Sequence, residues 1–204
     1  MFIAKEGLPF IVIPAILGVA LVLLGRFWVV PGYVLIIAAL FCCYFFRDPS
    51  RTIPKEENLV LSPADGTIME VGKDGDKKLI RIFLSVFNVH LQRAPVAGTV
   101  VSVEYKPGKF LPAMDKEAHI QNEQIVTTIK NKSGEYVVKQ IAGILARRCV
   151  SWLKQNDEIK SGQKIGLIKF SSQVDISMPQ SVEIKVKVGD VLVGGETIIA
   201  VLNK

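Results

Sequence analysis

Ser62-Pro-Ala-Asp-Gly-Thr-Ile68 and Ala94-Pro-Val-Ala-Gly-Thr-Val100 are the same short phrase written twice. Each runs proline, two residues, glycine, threonine, then a β-branched residue. Proline and glycine set a tight turn, and the threonine with its β-branched neighbour opens a strand behind it. A further glycine-rich turn lies near the end, in Val188-Gly-Asp-Val-Leu-Val-Gly-Gly-Glu-Thr-Ile198. Between the turns the chain reads as short strands rich in Val and Ile, bounded by Gly, Pro, Asn and Asp. The candidates are Thr67–Val71, Lys78–Leu84, Gly98–Tyr105, Gln124–Lys130, Tyr136–Ile141, Ile165–Phe170, Ser181–Lys187 and Thr197–Leu202. Val182–Val188 alternates apolar and polar residues, as a half-buried strand does. Ile144–Trp152 reads equally as helix or strand. Gly166-Leu-Ile-Lys-Phe-Ser-Ser-Gln-Val-Asp175 reads on its face as one plain strand with two hydroxyls.

The expected fold is therefore mostly β. The repeated turns resemble those of the half-barrel or β-sandwich of biotinyl and lipoyl carrier domains. Such carriers hold their cofactor on a lysine at a hairpin tip. The corresponding turns here are Asp65-Gly66 and Ala97-Gly98, without lysine, so the resemblance implies the fold and not the carrier role.

The front of the chain is different. Leu8–Gly25 and Phe27–Phe46 carry no charged residue, and only Arg26 separates them. Crossing a bilayer as a helix takes roughly 20 apolar residues, and each run is about that long. A cleaved signal peptide fits poorly: the apolar region is doubled, Pro9 and Pro14 interrupt it, and no small-residue cleavage site follows. We expect residues 1–46 to be a membrane-anchoring helical hairpin with apolar segments at about 8–25 and 27–46. Residues 47–58, polar with two prolines, read as a linker, and 59–204 as the β domain. Lys5 lies before the hairpin, and Arg47, Arg51 and Lys55 lie after it, which places both ends in the cytoplasm. A re-entrant hairpin, with Arg26 reaching back to the headgroups, is the alternative.

The net charge is +6 over 204 residues. Near an anionic membrane each surface Lys or Arg adds about 1 kcal/mol of attraction. Aromatic-basic interleaving is absent and the chain has no C-x-x-C pair, so a nucleic-acid partner is not expected. Cys42, Cys43 and Cys149 have neither disulfide nor metal spacing, and His90 and His119 are the only histidines. The expected partners are a phospholipid and an anionic membrane, with no metal and no nucleic acid.

Three residues carry candidate chemistry. Asp65 sits in an Asp-Gly turn and alone reads as a turn former. His90 follows an apolar strand, and its near-neutral pKa suits a general acid or base. Ser172 alone is an ordinary strand serine. Their frames are more telling: Phe45-Phe-Arg-Asp-Pro49, Ser62-Pro-Ala-Asp-Gly66, Phe87-Asn-Val-His-Leu-Gln-Arg-Ala-Pro95, Lys139-Gln-Ile-Ala-Gly-Ile-Leu-Ala-Arg-Arg148, and Gly166-Leu-Ile-Lys-Phe170 before Val174-Asp175. In this order over nearly the whole chain, they resemble the phosphatidylserine decarboxylase family in its short bacterial and archaeal form.

That resemblance implies a pyruvoyl-dependent, membrane-bound carboxy-lyase that makes its own cofactor. Ser172 would attack the carbonyl of Ser171, and β-elimination from the ester would leave a dehydroalanine that hydrolyses to a pyruvoyl group. The chain would become a large and a small polypeptide held as a heterodimer, with further oligomerisation left open. His90 is the implied base and Asp65 its orienter. The pyruvoyl carbonyl would form a Schiff base with phosphatidylserine, releasing CO2 and yielding phosphatidylethanolamine, with His90 the implied proton donor. Arg147 and Arg148 suit the lipid phosphate. Ser171 stands where the family has glycine. The alternatives are archaetidylserine as substrate, or an unprocessed inactive homologue.

Overall fold

The computed structural model describes residues 2–112, 115, 117–143, 148–169 and 172–202. The fold is mostly β, 43% strand against 23% helix among the described residues, and it forms two compact units, Met1–Ser50 and Arg51–Lys204.

The first unit is a helical hairpin. Its ends meet where Phe2–Ile3 (β1) pairs with Arg47–Asp48 (β2). Between them run Leu8–Leu24 (α1) and Val29–Phe45 (α2). Pro9 lies in the first turn of α1, where its missing N–H has no helical partner to lose. Gly25, at φ 68°, ends α1 and turns the chain. Gly18 and Gly32 face each other across the hairpin. A Cβ on either would come within 2.8 Å of the other's carbonyl oxygen or closer, so only small residues allow this approach. Lys5–Leu24 and Arg26–Phe45 are each 20 residues long and apolar, which at helical rise is about 30 Å, the thickness of a hydrocarbon core. Their outward side chains are bare, Leu23 at 81% and Phe27 at 84% exposure. Surfaces so apolar mark contact with another apolar phase.

The second unit begins with Leu59–Leu61 (β3), Gly66–Asp74 (β4), Lys77–Leu84 (β5), Leu91–Arg93 (β6) and Gly98–Lys106 (β7). A single turn, Ala118–Gln121 (α3), precedes Gln124–Asn131 (β8) and Gly134–Ala142 (β9). Cys149–Ser151 (β10), Glu158–Ile159 (β11), Lys164–Ile168 (β12) and Ser172–Met178 (β13) follow. Val182–Ile184 (β14), Val191–Leu192 (β15) and Ile198–Leu202 (β16) complete it. Eight strands form one curled antiparallel half-barrel in the order β11-β7-β8-β9-β13-β5-β4-β15. Two three-stranded sheets, β10-β12-β6 and β14-β16-β3, lie beside it.

β13 is central, paired with β5 on one side and β9 on the other. Val174, Ile176 and Met178 join Ile80, Ile82, Leu84 and Val138 in the core. Period-two alternation puts Ser172 on that same side and Gln173, Asp175 and Ser177 on the other. The second set is also buried, because Gln173 and Arg81 bond to Asp175 and Ser177 bonds to Asp74. Each strand candidate overlaps an observed strand, and the described part of Ile144–Trp152 contains β10. One reading is corrected. The stretch through Ser171-Ser172 is two strands, not one: β12 ends at Ile168 and belongs to the small sheet, whereas β13 starts at Ser172 in the large one. Between Ile168 and Ser172 the chain passes from one sheet to the other, a switch set by long-range pairing and invisible to local alternation.

Candidate active site

Ser172 is the first residue of β13, opposite Leu84 of β5 and Ala142 of β9. Its residue is 0% exposed, and its hydroxyl makes no hydrogen bond among the described residues. Buried hydroxyls nearly always have a partner, so an orphan calls for an explanation.

His90 comes to the same end of the sheet through a short turn. β5 ends at Leu84, the pairing partner of Ser172. The Asn88 side-chain oxygen then accepts from the N–H and hydroxyl of Ser85, both at 2.8 Å, and closes the turn. His90 follows and is 2% exposed. Its carbonyl accepts from Ile168 N–H at 3.1 Å and from Gln92 Nε2 at 2.8 Å, and Gln140 donates in turn to Gln92. The backbone at residue 90 is thereby pinned to the end of β12, four residues before Ser172. Nδ1 of His90 lies 3.0 Å from the Asn88 carbonyl oxygen. A carbonyl only accepts, so that contact selects the tautomer with the proton on Nδ1 and leaves Nε2 as the basic atom.

Asp65 occupies the turn into β4. Gly66, at φ 154°, pairs with Leu192, and Thr67 pairs with Phe83. A Cβ on Gly66 would sit 2.2 Å from the Phe83 carbonyl oxygen. Backbone this close in a glycine-only conformation has no room for a side chain. Gly66→Ala is therefore expected to cost about 3 kcal/mol or more. A urea melt of the purified second-unit signal checks this, and an unchanged midpoint contradicts it. The Asp65 carboxylate is held by three bonds. Arg51 Nη2 donates to both oxygens, at 2.9 and 2.8 Å, and Gly194 N–H donates to Oδ1 at 2.8 Å. Among the described residues its bonds run to these partners and not to His90, whose Nδ1 is held by Asn88.

Asp65, His90 and Ser172 thus gather at one end of the half-barrel from three distant parts of the chain. Ser171 and Arg147 lie outside the described residues. Arg148 is exposed, and its carbonyl accepts from Lys169 N–H at 3.2 Å, which places its backbone beside the segment leading to Ser172. His119 lies on α3 and lines a cleft of about 470 Å³ with Arg81, Lys106, Lys139 and Asp175. Burial pushes the Asp175 carboxyl up, against the opposing pull of Gln173 and Arg81. Burial also pushes the Cys149 thiol up, with the nearby Glu123 charge adding to it. Cys149 is therefore a neutral thiol bonded to the Gln140 carbonyl, not a rival nucleophile.

Sequence reading missed three contributors. Arg51 reads from sequence as a linker charge, whereas it bonds to the Asp65 carboxylate. Asn88 acts through its backbone carbonyl, which any residue type supplies. Glu123 is a buried carboxylate that accepts from Cys149 N–H and Tyr105 hydroxyl, each at 3.1 Å, and fixes the strand ends next to Ala142. Only the proximity of Arg51 to the Phe45–Pro49 frame offered a signal.

The protein is a curled β half-barrel whose central strand β13 opens on a buried serine, its hydroxyl without a hydrogen bond among the described residues. The family model for phosphatidylserine decarboxylase matches residues 38–200. A phosphatidylserine decarboxylase proenzyme of Geotalea uraniireducens (strain Rf4) is 43% identical over 207 residues, covering 98% of this chain and 96% of that protein. The proenzyme of the same name from Wolbachia sp. subsp. Brugia malayi (strain TRS) is 44% identical over 214 residues, covering 99% and 92%. That of Symbiobacterium thermophilum is 44% identical over 205 residues, covering 97% and 94%. The chain belongs to the phosphatidylserine decarboxylase family.

Proposed function

We propose that this chain is a proenzyme that cuts itself before Ser172 and then decarboxylates phosphatidylserine to phosphatidylethanolamine and CO2. The observation that carries the reading is the buried Ser172 hydroxyl, without a hydrogen bond among the described residues, at the first residue of a central strand. A hydroxyl so placed is not spent on the fold, and residue 172 fits the precursor of a pyruvoyl group.

The chain's own residues account for maturation. Ser172 Oγ adds to the carbonyl carbon of residue 171, and its proton passes to Nε2 of His90. The Asn88 carbonyl keeps the other ring proton on Nδ1. The 171–172 C–N bond breaks as the nitrogen takes a proton, leaving an ester on Oγ. Loss of the α-proton of residue 172 expels the residue-171 carboxylate, and hydrolysis of the dehydroalanine releases ammonia. The fixed charge of Asp65 favours the imidazolium formed on the way. A pyruvoyl group at residue 172 would supply the electrophilic carbonyl that serves as electron sink for the loss of CO2. His90 then holds the proton that returns to carbon, and the exposed Arg148 guanidinium is available to the lipid phosphate. The apolar hairpin keeps the enzyme in the bilayer that contains its substrate, with both ends cytoplasmic by its flanking positive charge.

The test is the mass of the small chain from detergent-purified protein, followed by CO2 release from vesicles. The expected result is a fragment of residues 172–204 with a pyruvoyl N-terminus, and CO2 from phosphatidylserine vesicles. Parallel vesicles of archaetidylserine measure how far the enzyme reads beyond the shared serine headgroup. A single intact chain would overturn self-processing, and a cleaved chain that releases no CO2 from either lipid would overturn the activity.

A further inference from the structure

The segment that reads as a linker is bonded into the catalytic unit residue by residue. Arg51 takes both oxygens of Asp65. Thr52 N–H donates to Glu196 Oε1 at 2.6 Å. Ile53 packs on two glycine turns, and a Cβ would meet its Cδ1 at 2.6 Å on Gly162 and 3.2 Å on Gly195. Three consecutive residues thus engage three different loops, which a passive tether does not require.

The Arg51–Asp65 pair is also unlike a surface ion pair. The two side chains are only 13% and 14% exposed. Water screens such a pair less, and losing one partner strands the other charge in a poorly solvated place. One guanidinium nitrogen spans both carboxylate oxygens while Gly194 N–H holds Oδ1. Two donors making three bonds to one carboxylate fix its rotation. The turn that carries it is itself tied down: Arg93 N–H donates to the Pro63 carbonyl at 2.9 Å, and Gly66 lies against Phe83.

We propose that Arg51 is a positioning residue for the reaction, fixing the rotation and place of the Asp65 carboxylate at the end of the sheet where β13 begins with Ser172. It acts through Asp65. The inference rests on the self-processing reading given above. It also gives the 51–53 segment a task in maturation beyond connecting the hairpin to the catalytic unit.

The experiment uses the full chain in detergent, with the rate of appearance of the 172–204 fragment as readout. Arg51→Ala is expected to slow self-cleavage by about tenfold to a hundredfold, the usual size when a supporting partner of a reacting group is lost. Millimolar guanidinium chloride should restore much of the rate to Arg51→Ala and none to Asp65→Asn. Arg51→Lys, which keeps the charge but loses the planar guanidinium and its reach, should fall between wild type and Arg51→Ala. In Arg51→Ala/Asp65→Asn, the double variant should be no slower than Asp65→Asn alone, because both changes disable one device. Arg51→Ala maturing at the wild-type rate would overturn the inference. So would a slow Arg51→Ala that guanidinium does not rescue and whose defect multiplies with that of Asp65→Asn, since that pattern is general destabilisation. A wild type that stays one chain overturns the self-processing reading itself, an outcome distinct from both.

Discussion

Ser172→Ala is expected to remain a single full-length chain on a denaturing gel and to release no CO2 from phosphatidylserine vesicles. Removing a nucleophile that no neighbour can replace costs roughly 10⁴-fold or more in rate. Cys149 does not substitute, because burial keeps it a neutral thiol. The fold should survive. Ser172 contributes backbone pairs to Leu84 and Ala142, which alanine keeps. Its hydroxyl has no bond to lose among the described residues, and deleting an unsatisfied buried polar atom is neutral or mildly stabilising. Thermal unfolding of Ser172→Ala should therefore match unprocessed wild type or lie slightly above it. An active, cleaved Ser172→Ala refutes the pyruvoyl assignment.

His90→Ala is expected to block maturation nearly as completely, slowing cleavage by about 10²–10⁴-fold, the range for loss of a general base. Here stability will also change, because the imidazole is buried and bonded to the Asn88 carbonyl. His90→Gln separates the effects. Glutamine can donate to that carbonyl, so it restores much of the packing without supplying a base of suitable pKa. The prediction is a His90→Gln protein with near-normal thermal unfolding that still fails to mature. Normal two-chain maturation in either variant removes His90 from the base role. The two variants fail differently from Arg51→Ala, which should be slow but rescuable.

Much of the fold was legible because its signals are local. Turn glycines and prolines, Val and Ile runs, and Val182–Val188 alternation depend on neighbours within a few residues, and each strand candidate met an observed strand. The apolar hairpin was legible for the same reason. The site was legible only as three residues in recognisable frames. Asp65 as a turn former and Ser172 as a strand serine are both correct descriptions, yet neither reveals that these positions share one end of a sheet. Arg51 looked like a linker charge because its partner lies 14 residues away, across a turn.

By itself, the sequence determined the β class, the two uncharged helices and the family frames, since these follow from composition and short-range pattern. Tertiary structure alone decided that Gly166–Asp175 is split between two sheets, one strand ending at Ile168 and the next starting at Ser172. It also decided that Asp65 answers to Arg51 and Gly194, and that the Asn88 carbonyl sets the His90 tautomer. The physical reason is the same in each case. Strand pairing and buried charge pairing join groups far apart in sequence, and which partner wins depends on the register of the whole sheet.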